Sequence, residues 1–498
     1  SEGRSATSSV GSPVSGQTIA GSSGSGGVVR DSVTSGVTVT GGGASGSVGA
    51  EHATSARRAA AGSASARVRR AVRVTELLPT RCVQSRRRAT VRRTAYVASY
   101  PGGVRRRPRI LPVRPGEEHA VATALASALD GSGPPLAPVA ADTPARDLGA
   151  VDDDVALVVT TSGSTGEPRA VALTAGALRA SADATAERLG GPGQWLLALP
   201  VQHVAGLQVL TRSVLAGTAP VVLDLTEPFT PEAFAAATER LDGARRLTSL
   251  VPTQLHRLLA VPHGRAALAS FDAVLVGGAA TNPRLVREAR AAGARLVLTY
   301  GMTETAGGCV YDGVPLDGVR VRLDDDARIH LAGPVLASGY VGEPGLTART
   351  FAVDDDGVRW LRTNDLGRLA GGVLDVLGRA DDVIVTGGVK VAPAAVEAAI
   401  TELPEVAHAC VVGVPDPEWG AVVVGVLVLT PGAEAPSLEE VRARVTPTLG
   451  ARSAPRRLVV VEELPARGPG KVDRRAVARI AAQAQDERAP GRPRTGGA

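Results

Sequence analysis

The chain has 498 residues, 44% hydrophobic and 21% charged, enough apolar mass for a large core spread over two or more domains. Its three cysteines, Cys82, Cys309 and Cys410, lie far apart and form no CxxC, which excludes a disulfide framework and a cysteine zinc site and fits a reducing, cytoplasmic setting. Its apolar runs are too short to span a bilayer, and its Ser/Gly-rich start lacks the apolar core of a secretory signal, so no membrane partner is expected.

Charge is unevenly placed. Residues 1–107 carry 17 arginines against 4 acidic residues, a net +13, and the remainder sums to −7. A nucleic-acid function would have to rest on that first segment alone. The segment is Ser/Gly-rich and then Arg-rich, with Tyr96 and Tyr100 as its aromatics and no methionine. So little apolar bulk cannot offset the entropy of ordering. Residues 1–107 therefore read as a disordered extension that need not belong to the working protein, and nucleic acid is not an expected partner. Of the 55 basic residues only Lys390 and Lys471 are lysines. Arginine cannot copy a compact ammonium on a flexible stem, which marks these two as functional candidates.

From Pro108 the texture changes. Apolar spacing predicts a helix over 117–129, a buried strand over 155–160 and a helix over 175–189. A strand at 196–199, a helix at 204–216, a strand at 220–223 and a helix at 231–241 follow. Then come a strand at 274–276, a helix at 283–292 and a strand at 295–299. Such alternation predicts an α/β sheet with helices on its faces. Beyond residue 310 the pattern turns to strands and turns, as in a β-rich subdomain. From about 380 a compact α+β unit follows, with helices over 394–403 and 438–449. The expected architecture is a large N-terminal α/β domain with a β-rich subdomain (108–378), a small mobile α+β C-terminal domain (379–485) and a polar tail (486–498).

The segment Thr160 to Arg169, TTSGSTGEPR, directly follows the buried strand. Its glycines let the backbone curl into a cradle of N–H donors, and its hydroxyls add donors for phosphate oxygens. It is not a Walker A loop, since GxxxxGK[ST] is absent; the decamer is read as lying between a strand and a helix. Four further segments come after it in order: TYGMTE from Thr299, WLRTNDLG from Trp360, GRADD through GGVK from Gly378 to Lys390, and PARGPGK ending at Lys471. Together the five motifs resemble those of the acyl-adenylate-forming ligases, in order across roughly three-fifths of the chain. Asn364 stands where that pattern commonly has glycine.

The resemblance implies an ATP- and Mg²⁺-dependent enzyme that joins a carboxylate to AMP and then passes the acyl group to the thiol of coenzyme A. It implies that Thr161, Ser162, Gly163, Ser164, Thr165 and Gly166 would cradle phosphate, with Gly278 and Gly301 bordering the nucleotide. Tyr300 would stack on adenine, Thr303 would hold the α-phosphate and Glu304 would bind the metal. Asp365 would accept both ribose hydroxyls, assisted by Arg379, and Lys390 would lie near the phosphates. Lys471 would swing an ammonium into the site, and Asp381 would be the hinge between the two domains. Little covalent chemistry falls to the protein in such a reaction, so positioning and charge neutralisation dominate.

For the acid, the segment LPVQHVAGLQVLTR from Leu199 to Arg212 resembles the branch of that family that activates an aryl dicarboxylate. It implies that His203 and Gly277 would border the acyl group. Gln208 and Arg212 are i and i+4 on one helical face, and a cation in an apolar helix suits a substrate with a second carboxylate. The partners expected are the acid, ATP and coenzyme A; homo-oligomer formation is left open. A ligase for another aryl or medium-chain acid, or an enzyme that loads a carrier protein, remains the alternative.

Overall fold

The computed structural model describes residues 104–144, 146–162, 168–466 and 472–486. Gly163, Ser164, Thr165, Gly166 and Lys471 lie outside the described residues, as do residues 1–103 of the N-terminal extension and 487–498 of the tail. Ser162 is placed in its strand, but its side chain is not described.

The central element is a seven-stranded sheet in the order Val314–Pro315, Gly307–Tyr311, Leu296–Met302, Ala273–Val276, Arg246–Leu250, Gln194–Leu197, Val221–Val222. The five strands from Leu296–Met302 to Val221–Val222 run parallel, and each of the first two strands runs antiparallel to the next in the order. All four residues of Ala273–Val276 are buried, because helices cover both faces of a parallel sheet. The two-residue period divides them: Ala273 and Leu275 join one core, Val274 and Val276 the other. The helices Ala175–Arg188 and Val204–Ala216 supply Leu178, Ala184, Leu207 and Leu210 to the first; Pro252–Leu259 and Pro283–Ala291 supply Leu255, Leu258, Leu285 and Ala289 to the second.

The α/β fold with its β-rich subdomain is present as expected, and the predicted helices over 204–216 and 438–449 coincide with Val204–Ala216 and Leu438–Leu449. Several elements escape the sequence pattern. The strand Arg246–Leu250 is central, yet Thr248 and Ser249 interrupt its apolar run; Thr248 is fully buried and donates its hydroxyl to the Leu196 carbonyl at 3.0 Å. Local pairing of that hydroxyl removes the cost of burying it.

The Ser/Thr/Gly segment has a different successor from the one expected. It joins two antiparallel strands, Val155–Ser162 and Pro168–Thr174, rather than a strand and a helix. The helix Ala175–Arg188 begins one strand later, capped by the Thr174 hydroxyl, which accepts from the Ala177 amide at 3.0 Å. These strands belong to a five-stranded sheet with Arg109–Val113, Leu136–Ala140 and Gly339–Tyr340. At its N-terminal side, Arg105–Arg106 pairs with Val151–Asp152, and Arg107 reaches Asp147 at 2.9 Å.

After Tyr311 the chain builds a sheet from Arg320–Leu323, Arg328–Ala332, Arg359–Ala370 and Phe351–Val353, with Val373–Arg379 paired to the long strand. The smaller α+β unit then packs Pro393–Ile400, Leu438–Leu449 and Arg474–Asp486 around the sheet Val406–Asp416, Gly420–Leu429, Arg457–Val460. Among the described residues, no helix is long and apolar enough to cross a membrane.

Candidate active site

The parallel strand Leu296–Met302 runs out at the C-terminal edge of the sheet, where open α/β sheets place their ligand sites. Beyond Met302 the chain makes one tight turn, Thr303–Thr305, and returns as Gly307–Tyr311. The turn is over-determined. The Thr305 hydroxyl accepts from the Met302 amide at 2.9 Å and lies 2.7 Å from the Gly307 carbonyl. Ala306 takes φ +50°, a left-handed conformation that costs a non-glycine residue energy. Its carbonyl accepts from Ser181 Oγ at 3.2 Å and from Gln208 Nε2, so two helices hold it. A Cβ at Gly301 would fall 2.1 Å from the Gly307 carbonyl, and one at Gly277 would fall 2.2 Å from Thr299 Oγ1. Only glycine lets the strand ends come this close.

This turn presents Thr303, buried, and Glu304, half-buried, at the sheet edge. Glu304 Oε1 accepts from the Tyr340 hydroxyl at 2.8 Å, and burial beside that carboxylate holds the Tyr340 phenol well above its usual range. Tyr300, next to the turn, donates its hydroxyl to Asp365 Oδ2 at 2.9 Å. Asp365 also lies 3.5 Å from Arg379 Nη1, its direct cross-strand partner. Burial pushes the Asp365 carboxyl up; the Tyr300 hydrogen bond and the Arg379 charge pull it the other way. Burial also raises the Tyr300 phenol, with the Asp365 charge adding to it. Both hydroxyls therefore stay protonated donors at neutral pH. Four residues from three separate motifs thus converge: Tyr300 hydrogen-bonded to Asp365, Arg379 ion-paired with it, and Glu304 on the adjoining turn.

Other expected residues take different positions. His203 is exposed and stands at the N-cap of Val204–Ala216. Thr161 lies on its strand with its hydroxyl 3.4 Å from the Arg169 carbonyl, and Gly278, at φ +82°, follows Gly277 at the end of Ala273–Val276. Lys390 is exposed on the hairpin Ile384–Thr386 and Val389–Val391 of the small domain. Arg212 lies nine residues beyond His203, about 13 Å along the helix axis. It is only 7% exposed, rests over the Trp195 ring at 5.0 Å and donates to the Tyr311 hydroxyl at 3.4 Å. Its Nε is buried without a hydrogen-bond partner, and it forms no ion pair among the described residues. With Asp183, Thr185 and Trp195 it lines a cavity of about 220 Å³. Burial lowers the guanidinium's pKa, the expected direction for a desolvated cation. Gln208, on the same helical face, is spent on the Ala306 carbonyl.

Sequence reading missed Ser181, Tyr340 and Thr305 as supports of the site. Tyr340 is 36 residues from Glu304, and Ser181 is 125 from Ala306; no local spacing signals either contact. Among the described residues no group of three or more His, Cys, Asp or Glu could hold a metal. A single carboxylate such as Glu304 fits a magnesium ion held mostly by substrate phosphates and water, which needs one or two protein carboxylates rather than a cage.

A family profile described as AMP-binding enzyme matches residues 102–345, and one described as AMP-binding enzyme C-terminal domain matches residues 395–471. A probable 2-succinylbenzoate–CoA ligase of Mycobacterium tuberculosis is 50% identical over 340 residues, covering 68% of this chain and 87% of the relative. A medium/long-chain-fatty-acid–CoA ligase of the same organism is 34% identical over 375 residues, covering 68% and 62%. Among solved structures, the o-succinylbenzoate CoA synthetase of Bacillus subtilis, in complex with its acyl-adenylate intermediate OSB-AMP, aligns with a TM-score of 0.57 at 27% identity, covering 72% of this chain and 80% of that one.

Proposed function

The chain belongs to the AMP-binding enzymes, and from that premise we propose that it activates 2-succinylbenzoate with ATP and transfers the acyl group to coenzyme A. The observation that carries the choice of acid is the 50% identity to a probable 2-succinylbenzoate–CoA ligase over 87% of that protein, against 34% for the fatty-acid ligase. In the first step the substrate carboxylate oxygen bonds to the α-phosphorus of ATP and the bond to pyrophosphate breaks. In the second the coenzyme A sulfur bonds to the acyl carbon, AMP leaves, and the thiol gives up its proton.

Within this reading Asp365 takes the ribose hydroxyls, for which an acceptor-only carboxylate is suited. The Tyr300 hydrogen bond and the Arg379 charge both favour the ionised carboxylate against its burial. Tyr300 holds one oxygen of Asp365 and presents its ring to the base. Thr303, on the braced turn, meets the α-phosphate, and Lys471 brings the ammonium that offsets charge developing there. Mg²⁺, when bound with ATP, neutralises phosphate charge beside Glu304. His203 and Gly277 border the acyl group. Arg212 reads the second carboxylate: a buried cation without a protein carboxylate is costly, and an anionic substrate group would relieve that cost.

A direct test is acid-dependent exchange of labelled pyrophosphate into ATP across a panel of acids. Exchange with 2-succinylbenzoate at least ~10-fold faster than with benzoate or octanoate supports the reading, that factor being about 1.4 kcal/mol of discrimination. Faster exchange with octanoate would move the protein to the fatty-acid branch.

A further inference from the structure

The link between the two domains is short, and its two carboxylates are divided between them. The cores of the large domain end at Leu374 and those of the small domain begin at Ile384, so the turn Ala380–Asp382 lies in the covalent link. Asp382 belongs to the small-domain side. Its Oδ2 lies 3.1 Å from Arg474 Nε, and Arg474 grips Glu397 at 2.6 and 2.8 Å.

Asp381 faces the other way. Its Oδ2 accepts from Asn364 Nδ2, on the large-domain strand Arg359–Ala370, and lies 3.4 Å from Arg379 Nη2. Asn364 is itself held from behind, because Arg328 Nη1 donates to Asn364 Oδ1 and to the Thr363 carbonyl at 3.4 Å. The amide serves both neighbours, donating from its nitrogen to a carboxylate while its oxygen accepts from a guanidinium. Glycine has no side chain to do either, and aspartate can only accept. Arg379 closes the circuit, lying 3.5 Å from Asp365 and 3.4 Å from Asp381.

We propose that Asn364 is a positioning residue that sets the angle of the small domain by holding Asp381 to the large domain, and that Arg379, shared between Asp365 and Asp381, couples that angle to nucleotide at Asp365. The inference rests on the two-step reading above, since the angle matters when the two steps need different domain arrangements. Besides the His256 and His408 rings, 5.2 Å apart, the contacts across the remaining interface include polar ones: Arg287 to Glu402 at 2.6 and 3.1 Å, and Asn282 Nδ2 to the Thr401 carbonyl at 3.2 Å. Interfaces of this kind permit rearrangement, so one further hydrogen bond at the link can shift its balance.

The test compares Asn364→Gly and Asn364→Asp with the wild-type chain in three measurements: pyrophosphate exchange, thioester formation from supplied acyl-adenylate, and the rate of tryptic cleavage after Arg379 without substrate. Loss of one partly solvated hydrogen bond predicts that the ratio of the two half-reactions moves roughly 3- to 10-fold in both variants, in the same direction. Cleavage after Arg379 should accelerate by a similar factor, while the variants stay folded with a modestly lowered melting temperature, since Asn364 is half-buried and its amide is shared with Arg328. In an Asp381→Ala background, Asn364→Gly should have no further effect. A ratio and a cleavage rate within twofold of wild type in Asn364→Gly would overturn the proposal, as would wild-type behaviour of Asn364→Asp or additive effects in the double variant. The cleavage measurement needs no acid, so it decides the proposal even if the choice of acid above proves wrong.

Discussion

At Asp365 the chemistry of the site and the stability of the fold pull apart. Burial raises this carboxyl's pKa, and a group whose folded pKa lies above its unfolded value contributes stability that is lost as pH rises through the folded pKa. In the ionised form that the ribose hydroxyls need, Asp365 is thus a net cost that the fold carries for function. Asp365→Asn should leave the melting temperature unchanged or raise it, while kcat/KM for ATP falls ~10²-fold or more through lost charged hydrogen bonds. In the wild type, use of ATP should fail on the acid side at a pH above the ordinary aspartate range. At Arg212, Arg212→Ala should lower kcat/KM for 2-succinylbenzoate by ~2–5 kcal/mol, the range for truncating a buried charge pair, with KM for ATP nearly unaltered. A lower melting temperature with unchanged acid selectivity would make Arg212 a residue that only fills its cavity. Residue types are legible here from motifs; their supports are not. Nothing in the spacing of Tyr340 or Ser181 connects them to Glu304 and Ala306, because those contacts arise only when distant elements pack; Thr305 acts locally, through Met302 and Gly307.

Elements with strong apolar periodicity are legible in the sequence, and those with polar interiors are not. Val204–Ala216 is legible to the residue, whereas Arg246–Leu250 hides Thr248 and Ser249 inside a central strand. Loop chemistry misleads in one place: a Ser/Thr/Gly run reads as a strand-to-helix turn, yet hairpin pairing with Pro168–Thr174 is the arrangement the sheet stabilises. The helix Pro252–Leu259 and the strand Val406–Asp416 meet across the domain interface through His256 and His408, whose rings are 5.2 Å apart. Burial lowers both pKa values; around His256, Glu288 opposes the shift and Arg284 and Arg257 add to it. Groups held neutral in this way contribute stability above pH 6.5 that is lost as pH falls toward their folded values. The melting temperature should therefore drop between pH 7 and pH 5, and His408→Phe, which keeps a ring but cannot charge, should blunt that drop. An equal drop in the variant would place the acid sensitivity elsewhere.

For the whole molecule, sequence composition separates the basic first segment from the mildly acidic remainder, and the family match begins at residue 102. Arg105–Arg107 are tied to Val151–Asp152 and Asp147. A chain begun at residue 102 should keep the full melting temperature, whereas one begun at Pro108 should lose a small, measurable part of it. The domain link can be anticipated from motif order, but not the division of Asp381 and Asp382 between two bodies, because adjacent residues carry no signal of which way each side chain turns. The central claim is the reaction itself, and the most direct measurement is the product. With 2-succinylbenzoate, ATP, Mg²⁺ and coenzyme A together, mass spectrometry should find 2-succinylbenzoyl-CoA formed in step with AMP and pyrophosphate. Omitting coenzyme A should leave enzyme-bound acyl-adenylate and one equivalent of pyrophosphate, without thioester or free AMP. ADP and phosphate in place of AMP and pyrophosphate, or a CoA thioester from octanoate and none from 2-succinylbenzoate, would contradict the account.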